Sequence, residues 1–419
     1  MTKTIFKDIG AFINAYKGQD LIFYCGCAYI IFSYLRPQLI YPSLNFLPWL
    51  RITILVGLSL MLVKNQLRFT YTHALVFLLT ILVGISIMNS SYPEISMQKP
   101  EIPLIWAIEV LFLSNCARNI NQIKLLLALL FLCLFKMSLF GAKIWVTRGF
   151  DFTAWGIQGP PGYFQNSGEF SLLMAMTAVM SIPFIIGLNL KRRYLWILPI
   201  TAVMTVLGAS SRGSQLAVVV GLLFLLFTYK KIRIKNIIYV GVICWLVAVL
   251  LPQEQKDRLN AMGDDETSLS RLNYWKAGIA MAMDNPFSGV GYDAFPEYYH
   301  NYYKESGGGY LSTRKEVSHN SIIQVLSTLG FPALFIYLLI HKRIYYVVKD
   351  KYLKKITHIN FLSQNIVISL KAGFLTYLVG SMFMSIAFYP YLYLLCGLSI
   401  ALAQAITEQP DKSQTYLMP

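Results

Sequence analysis

The sequence predicts an all-α protein that crosses a membrane many times. Of its 419 residues, 56% are hydrophobic and only 13% are charged, and its mean hydropathy is +0.53. The apolar residues lie in runs of about 20, the length that a helix needs to cross the hydrocarbon core. Short polar connections separate these runs, except at 253–318, where the polar stretch is long. These observations favour a polytopic membrane protein over two or three soluble domains.

The apolar runs predict about twelve transmembrane helices. The first nine fall within residues 1–252 and the last three within 319–419, so 253–318 forms one long loop that contains short helices. The predicted spans are 20–36, 46–63, 73–89, 102–116, 121–141, 169–189, 194–211, 214–229, 236–252, 319–341, 366–388 and 390–408.

Lysine and arginine residues predict the orientation of these helices. They cluster in alternate connections, for example at 191–193, 230–235 and 342–355. Because such connections stay in the cytoplasm, both termini are predicted to be cytoplasmic and the long loop to be external. The same clusters explain the formal charge of +16. The sequence has no long basic tract or aromatic-studded sheet pattern, so we expect no nucleic acid partner.

The sequence offers little for a metal, a nucleotide or a disulfide. All six cysteines lie within or beside apolar runs, and there is neither a His/Cys ligand cluster nor a Walker pattern. The acidic run at 264–266 is interpreted as a helix-end cluster. We therefore expect no cofactor and no metal. The N-terminus lacks a short apolar core with a cleavage site, so the first span is predicted to be an uncleaved anchor.

Within the long loop, residues 268–284 predict an amphipathic helix. Residues that could form one face recur at helical spacing, namely Leu269, Leu272, Trp275 or Lys276, Ile279 and Met283. Asn285-Pro286 ends the pattern. A short helix with one apolar face would lie on the membrane surface or against the helix bundle. Arg271 would then sit in its first turn.

Two arginines and one histidine are the strongest candidates for chemistry. Arg212 lies at a tight external turn, where its guanidinium could bind a phosphate at headgroup level or simply snorkel to the interface. Arg271 could contact phosphate or pair with the acidic run at 264–266. His319 lies where the loop re-enters the membrane, and a neutral imidazole there could accept a proton from an attacking hydroxyl or be structural.

Other charged residues have less certain roles. Glu169, at the external start of a span, could join the arginines or cap a helix. Glu109, Lys136 and Lys371 lie within predicted spans, where charges are functional by default. Glu109 and Lys136 could form a structural pair if their helices meet, or they could mark an ion pathway.

Several motifs in this order resemble the bacterial O-antigen ligase family, whose superfamily includes Wzy-type O-antigen polymerases and protein O-oligosaccharyltransferases. The resemblance covers roughly 155–345. Its motifs are Ser-Arg-Gly-x-x-Leu-Ala at 211–217, Ser270-Arg271-Leu272-x-x-Trp275-x-x-Gly278, Asn285-Pro286-Phe287-Ser288-Gly289-Val290-Gly291, Ser318-His319-Asn320-Ser321 and Leu329-Gly330.

The resemblance implies a GT-C-like glycosyltransferase with twelve spans in the bacterial inner membrane, and it makes the external loop periplasmic. Its donor would be a glycan on undecaprenyl pyrophosphate, and it would use no metal or nucleotide. Carried over to this sequence, Arg212 and Arg271 would bind the pyrophosphate and stabilise the leaving group, and His319 would activate the acceptor hydroxyl. Further candidates are Glu169, Gln215, Asn320 and Arg314.

The resemblance leaves the acceptor open. Transfer of O-antigen to lipid A-core is the first expectation. Gln215 departs from the family, because the ligases often have an aromatic residue at its position, so polymerisation of repeat units and protein glycosylation stay as alternatives. A transporter of lipid-linked sugar or of a small ion-coupled solute is the rival from another class, and it would depend on Glu109, Lys136 and Lys371 more than on His319.

Overall fold

The structure is a computed structural model that describes residues 2–151, 156–189, 192–229, 266–303, 315–347 and 361–407. These residues form helices, turns and connections, with no strand among them. The main helices are α1 (Thr2–Tyr16), α2 (Leu21–Ile30, extended by a π-turn at Ile31–Leu35), α3 (Trp49–Val63), α4 (Tyr71–Met88), α5 (Ile102–Asn115), α6 (Ile120–Thr147), α7 (Ser167–Gly187), α8 (Ile197–Ala209), α9 (Arg212–Thr228), α10 (Glu266–Asp284), α11 (Ser321–Val347), α12 (Phe361–Ser381) and α13 (Pro390–Thr407).

The helices confirm a multi-pass membrane protein. Within the described part of the chain, seven helices are long and apolar enough to cross a membrane, and four shorter apolar helices coincide with other predicted spans. The ninth predicted span, 236–252, lies outside the described residues, as do Arg314 and the acidic residues Asp264 and Asp265. The count of twelve spans therefore stays a prediction.

Helix α7 is the centre of the bundle. Its residues are almost all buried, and α12 packs along its whole length. Glycines allow this close approach, because a Cβ atom on Gly373 would lie 2.3 Å from Met180 Sδ and one on Gly380 would lie 2.3 Å from Leu172. Small residues at helix crossings are typical of membrane bundles, where packing replaces the hydrophobic effect. Helices α6, α8 and α9 surround this pair, while α4 packs on α11 and α5 on α13.

The eleventh predicted span, 366–388, is partly wrong. Helix α12 ends at Ser381, and residues 382–389 form an irregular connection before α13. Most of its residues are apolar, and half of them are buried, including Met384, Ile386 and Phe388. Hydropathy alone therefore could not distinguish this connection from a membrane helix. We refer to residues 382–389 as the α12–α13 connection.

The amphipathic helix predicted at 268–284 is present as α10, and the predicted apolar face is not packed against the helix bundle. Leu269, Leu272, Ile279 and Met283 are exposed. The buried face consists instead of one aromatic residue, one methionine and small residues. These residues are Tyr274, Ala277, Gly278, Met281 and Ala282.

Candidate active site

The α12–α13 connection brings separate motifs of the chain together. A Cβ on Gly213 would lie 2.7 Å from Phe383, one on Gly168 would lie 3.7 Å from Met384, and Ser385 Oγ lies 3.0 Å from Ser318 Oγ. Their three partners in the connection are consecutive residues, and consecutive Cα atoms are about 3.8 Å apart. The neighbours of Arg212, Glu169 and His319 therefore surround one segment about 8 Å long.

The α12–α13 connection is fixed mainly by α11. Ser321 Oγ donates to the carbonyl of Met384 at 2.7 Å and accepts from Ile386 N at 3.0 Å. Gln324 Oε1 accepts from Ala387 N at 3.1 Å. These bonds pair backbone groups that would otherwise be buried without partners. They hold the connection rigidly beside the Ser-His-Asn-Ser motif.

Arg212 is the first residue of α9 and is half-buried. The chain turns sharply just before it, because Ser210 ends α8 in the left-handed conformation. Ser214, two residues further on, is buried and donates to the carbonyl of Gly168 at 3.3 Å. Arg212 thus lies at a helix N-terminus, where the helix dipole favours anions, next to the start of α7.

His319 lies immediately before α11 and is partly exposed. Its backbone is left-handed, with φ of 49°, and Asn320 caps α11 by accepting from Ile322 N at 2.9 Å. Its Nε2 lies 3.5 Å from Glu316 Oε2. The imidazole thus lies between Glu316 and Tyr274, whose ring centroid is 6.1 Å from its own.

Arg271 is connected to His319 through α10. The ring of Tyr274 lies 6.1 Å from the His319 ring, centroid to centroid, and Trp275 Nε1 donates to the carbonyl of Ser318 at 3.1 Å. Residues three and four apart share a helix face. Arg271 therefore lies one turn from the two residues that contact the histidine segment.

Glu169 has a partner in the α12–α13 connection. The Tyr389 hydroxyl donates to the Glu169 carboxylate, and the Tyr391 hydroxyl donates to the Glu169 backbone carbonyl at 2.9 Å. Burial, followed by the charge of Glu169 and this hydrogen bond, raises the pKa of Tyr389. Tyr389 is therefore a neutral donor at physiological pH. Glu169 is held by a partner rather than serving only as a helix cap.

Two remaining candidates have structural partners. The side-chain oxygen of Asn320 accepts hydrogen bonds from Ile322 N and Ile323 N at the start of α11. Gln215 is half-buried one turn along α9 from Arg212, and its backbone N–H donates to Ser211 O at 2.9 Å. Gln215 is thus on the helix that carries Arg212, whereas Asn320 acts mainly by shaping the histidine segment.

The family model described as O-antigen ligase matches residues 197–338. The resemblance to the O-antigen ligase family is thereby confirmed. The matched segment is about one third of the chain and includes Arg212, Arg271 and His319. No curated protein matches the chain.

Part of the site lies outside residues 197–338, which we call the O-antigen ligase segment, and was not predicted from the sequence. The α12–α13 connection supplies Ser385 and Tyr389, and the turn before α7 supplies Tyr163, whose ring lies 5.2 Å from that of Tyr389. Arg36 donates to the carbonyl of Pro161 and so fixes this turn. The Gly-Pro-Pro-Gly sequence at 159–162 was the only signal in the sequence that pointed to this turn.

Two of the intramembrane charges, Glu109 and Lys136, lie in different environments. Glu109 is buried and hydrogen-bonded to Tyr29, whereas Lys136 is exposed on the surface of α6. The suggested pair of Glu109 with Lys136 is therefore not formed. Among the residues that the structure describes, no group of three or more His, Cys, Asp or Glu residues is placed to hold a metal ion.

Proposed function

We propose that this protein is an inverting, metal-independent glycosyltransferase that moves a glycan from undecaprenyl pyrophosphate to an acceptor hydroxyl. The observation that carries the proposal is the arrangement of three motifs of the O-antigen ligase segment. Arg212 and His319 adjoin residues that pack on one connection, and Arg271 lies one turn from the side chains that contact His319.

The cations suit a pyrophosphate leaving group. Arg212 combines a guanidinium with a helix N-terminus, and both favour an anion. As the acceptor oxygen bonds to the anomeric carbon, the bond from that carbon to the pyrophosphate oxygen breaks. The electron pair leaves with the pyrophosphate, and Arg212 and Arg271 stabilise its charge. Attack opposite the leaving group inverts the anomeric centre.

His319 would take the proton of the acceptor hydroxyl. Glu316 Oε2 lies 3.5 Å from its Nε2, so a hydrogen on that nitrogen would face the carboxylate. The neutral ring then presents Nδ1 as its basic atom. Glu316 is accordingly a positioning residue in this proposal.

We propose lipid A-core as the acceptor and O-antigen as the glycan, which makes the protein an O-antigen ligase of the inner membrane with its site facing the periplasm. Support comes from the O-antigen ligase family match and from the positive-inside pattern of the connections. Polymerisation of repeat units and protein glycosylation use the same donor chemistry and differ only in the acceptor. Glu109 and Lys136 lie in separate environments and do not form a common charged site, which disfavours the transporter alternative.

A reconstituted reaction tests the proposal. Purified protein in detergent is supplied with undecaprenyl-pyrophosphate glycan and lipid A-core in the presence of EDTA, and wild type is compared with His319→Ala. We expect product from wild type only. Equal product from both proteins would overturn the role of His319, and loss of the wild-type product on adding EDTA would overturn metal independence.

The same assay can be run with other acceptors. Product that forms with a repeat unit on the lipid carrier, but not with lipid A-core, would assign the polymerase reaction. Product on a protein would assign protein glycosylation. Absence of transfer to all three acceptors by a folded wild-type protein would contradict the proposal.

A further inference from the structure

Three tyrosines from separate connections of the chain meet beside Glu169. The ring of Tyr163, in the turn before α7, lies 5.2 Å from that of Tyr389 in the α12–α13 connection, centroid to centroid. The ring of Tyr292, in the segment after α10, lies 5.2 Å from that of Phe388, the neighbour of Tyr389. Both pairs meet edge to face, which is a favoured arrangement of aromatic rings. We refer to Tyr163, Tyr292 and Tyr389 as the tyrosine cluster.

Asp293 follows Tyr292 and has a left-handed backbone. Its φ is 61°, a conformation that Asp adopts more readily than most residues. Ser96 Oγ donates to the carbonyl of Tyr292 at 2.7 Å, and Ser91 N donates to the carbonyl of Val290 at 3.1 Å. These bonds tie the segment to the connection between α4 and α5. The Asp293 side chain therefore starts from a fixed backbone next to the tyrosine cluster.

Asp293 lies in a depression of the surface. Its side chain is exposed, yet burial raises its pKa, and the charge of Lys99 partly opposes that shift. A carboxylate that is open to water and also surrounded by protein lies in a concave region. Burial, followed by the charge of Asp293, raises the pKa of Tyr292. Asp293 is also among the charges that raise the pKa of Tyr389, so it is within electrostatic range of two members of the tyrosine cluster.

The tyrosine cluster adjoins the proposed pyrophosphate site. Tyr389 donates to the Glu169 carboxylate. The carbonyl of Gly168, one residue earlier, accepts from Ser214, which lies two residues beyond Arg212. A sugar attached to a pyrophosphate at Arg212 would therefore lie toward Glu169 and the tyrosine cluster.

The side chains of this depression suit a hydroxyl-rich ring. Tyr163 and Tyr389 are partly exposed, and a tyrosine combines an apolar ring with a hydroxyl that both donates and accepts. The carboxylate of Asp293 accepts strong hydrogen bonds from hydroxyl groups. Small-molecule sites typically combine aromatic walls with a few convergent polar groups of shifted pKa. Arg36, whose charge acts on Tyr163, is engaged with the carbonyl of Pro161.

We propose that Tyr163, Tyr389 and Asp293 form a subsite for the sugar that is attached to the pyrophosphate of the donor. The tyrosine rings would contact the apolar face of that sugar, and the Asp293 carboxylate would accept hydrogen bonds from its hydroxyls. Asp293 is thus a specificity-determining residue and takes no part in the proton transfer assigned to His319. The inference rests on the donor of the function proposed above and adds the place where its sugar is recognised.

Binding without turnover tests the subsite. The glycosylated donor and undecaprenyl pyrophosphate that carries no glycan are titrated separately into full-length protein in detergent, with no acceptor present. Dissociation constants are measured by microscale thermophoresis. Asp293→Asn removes the charge of the side chain at nearly constant size. Glu94→Gln is the matched control, because Glu94 is an exposed carboxylate in the connection between α4 and α5.

We expect Asp293→Asn to weaken binding of the glycosylated donor by about ten-fold, because sugar hydroxyls lose a charged acceptor. Binding of the glycan-free lipid should stay unchanged, and Glu94→Gln should bind both lipids like wild type. Tyr163→Ala should weaken donor binding in the same selective way. Tyr163→Phe keeps the ring and should restore most of the affinity.

Three results would overturn the subsite. They are equal donor binding by Asp293→Asn and wild type, equal weakening of both lipids, and weaker binding of lipid A-core with unchanged donor binding. The last result would place the acceptor there instead of the donor. Because no transfer is measured, failure of the subsite is distinct from failure of the proposed function. A wild type that binds the donor selectively but transfers nothing would contradict the function alone.

Discussion

At the scale of single residues, two cations on α10 can be compared to test whether Arg271 has a specific role in transfer. Arg271 lies one turn from the residues that contact the histidine segment, while Lys276 is exposed on α10. We expect Arg271→Ala to slow transfer by about 100-fold, because the leaving-group charge loses a fixed donor. Lys276→Ala should retain transfer near the wild-type rate. Initial rates with the lipid-linked donor check both, and equal losses would contradict a specific role for Arg271.

The bond between Trp275 and Ser318 is a second feature at residue scale. Trp275→Phe keeps an aromatic ring and loses the donor to the Ser318 carbonyl. We expect transfer to slow by about ten-fold, because a displacement of order 1 Å at a reacting group is costly, while the melting temperature changes little. Trp196→Phe is the control, since Trp196 is exposed at the start of α8, the end opposite the turn that precedes Arg212. An unchanged rate for Trp275→Phe would show that this bond does not position His319.

At the scale of elements, the Gly-Val-Gly motif is explained by backbone packing rather than by chemistry. Gly289 has φ of 63°, and a Cβ there would meet the backbone of Thr328 and Leu329. We expect Gly289→Ala to lower the melting temperature by about 5 °C or more, or to prevent purification of folded protein. Gly84→Ala is the matched control, because nothing lies within 4 Å of its added methyl. Equal stability of the two variants would contradict the packing argument.

The α12–α13 connection depends on Ser321 in a similar way. Ser321→Ala removes a donor to Met384 O and leaves Ile386 N without its acceptor. A buried group without a partner costs about 1–3 kcal/mol, so we expect lower thermal stability and reduced transfer together. Ser59→Ala, at an exposed position of α3, should change neither. Wild-type transfer by Ser321→Ala would show that the connection does not shape the site.

The same elements show what the sequence can and cannot predict. The existence of α10 follows from its apolar period, but the surroundings of its apolar face do not, because the period marks apolar residues without identifying their neighbours. Met283 and Tyr274 illustrate the two outcomes. The α12–α13 connection was predicted as helix for a related reason. Hydropathy records that Met384 and Phe388 are apolar, not whether their backbone is helical.

At the scale of the whole molecule, the multi-pass character and the family resemblance were predictable from hydropathy and from the order of the motifs. The assembly of the site was not, because Glu169 and Ser385 carry no motif and are distant in sequence from Arg212 and His319. Their proximity depends on the crossing of α7 with α12 and on the bonds from α11. Such tertiary contacts leave no periodic pattern in the sequence.

The acceptor is a property of the whole molecule, and a cellular experiment can identify it. A ligase acts after chains are complete, so loss of a ligase leaves bare core and strands long chains on the lipid carrier. Loss of a polymerase instead leaves single repeat units on the core. We expect the bare core with stranded chains in cells that lack this protein.

Complementation tests whether that phenotype comes from the proposed site. Wild type should restore long chains on the core, and His319→Ala, produced at the same level in the membrane, should not. Glycans on the core and on the lipid carrier are separated and sized in both strains. Single repeat units on the core would assign the polymerase reaction, because they require ligation to proceed without this protein. Restoration by His319→Ala would show that the chemistry does not depend on this histidine, whichever acceptor is used.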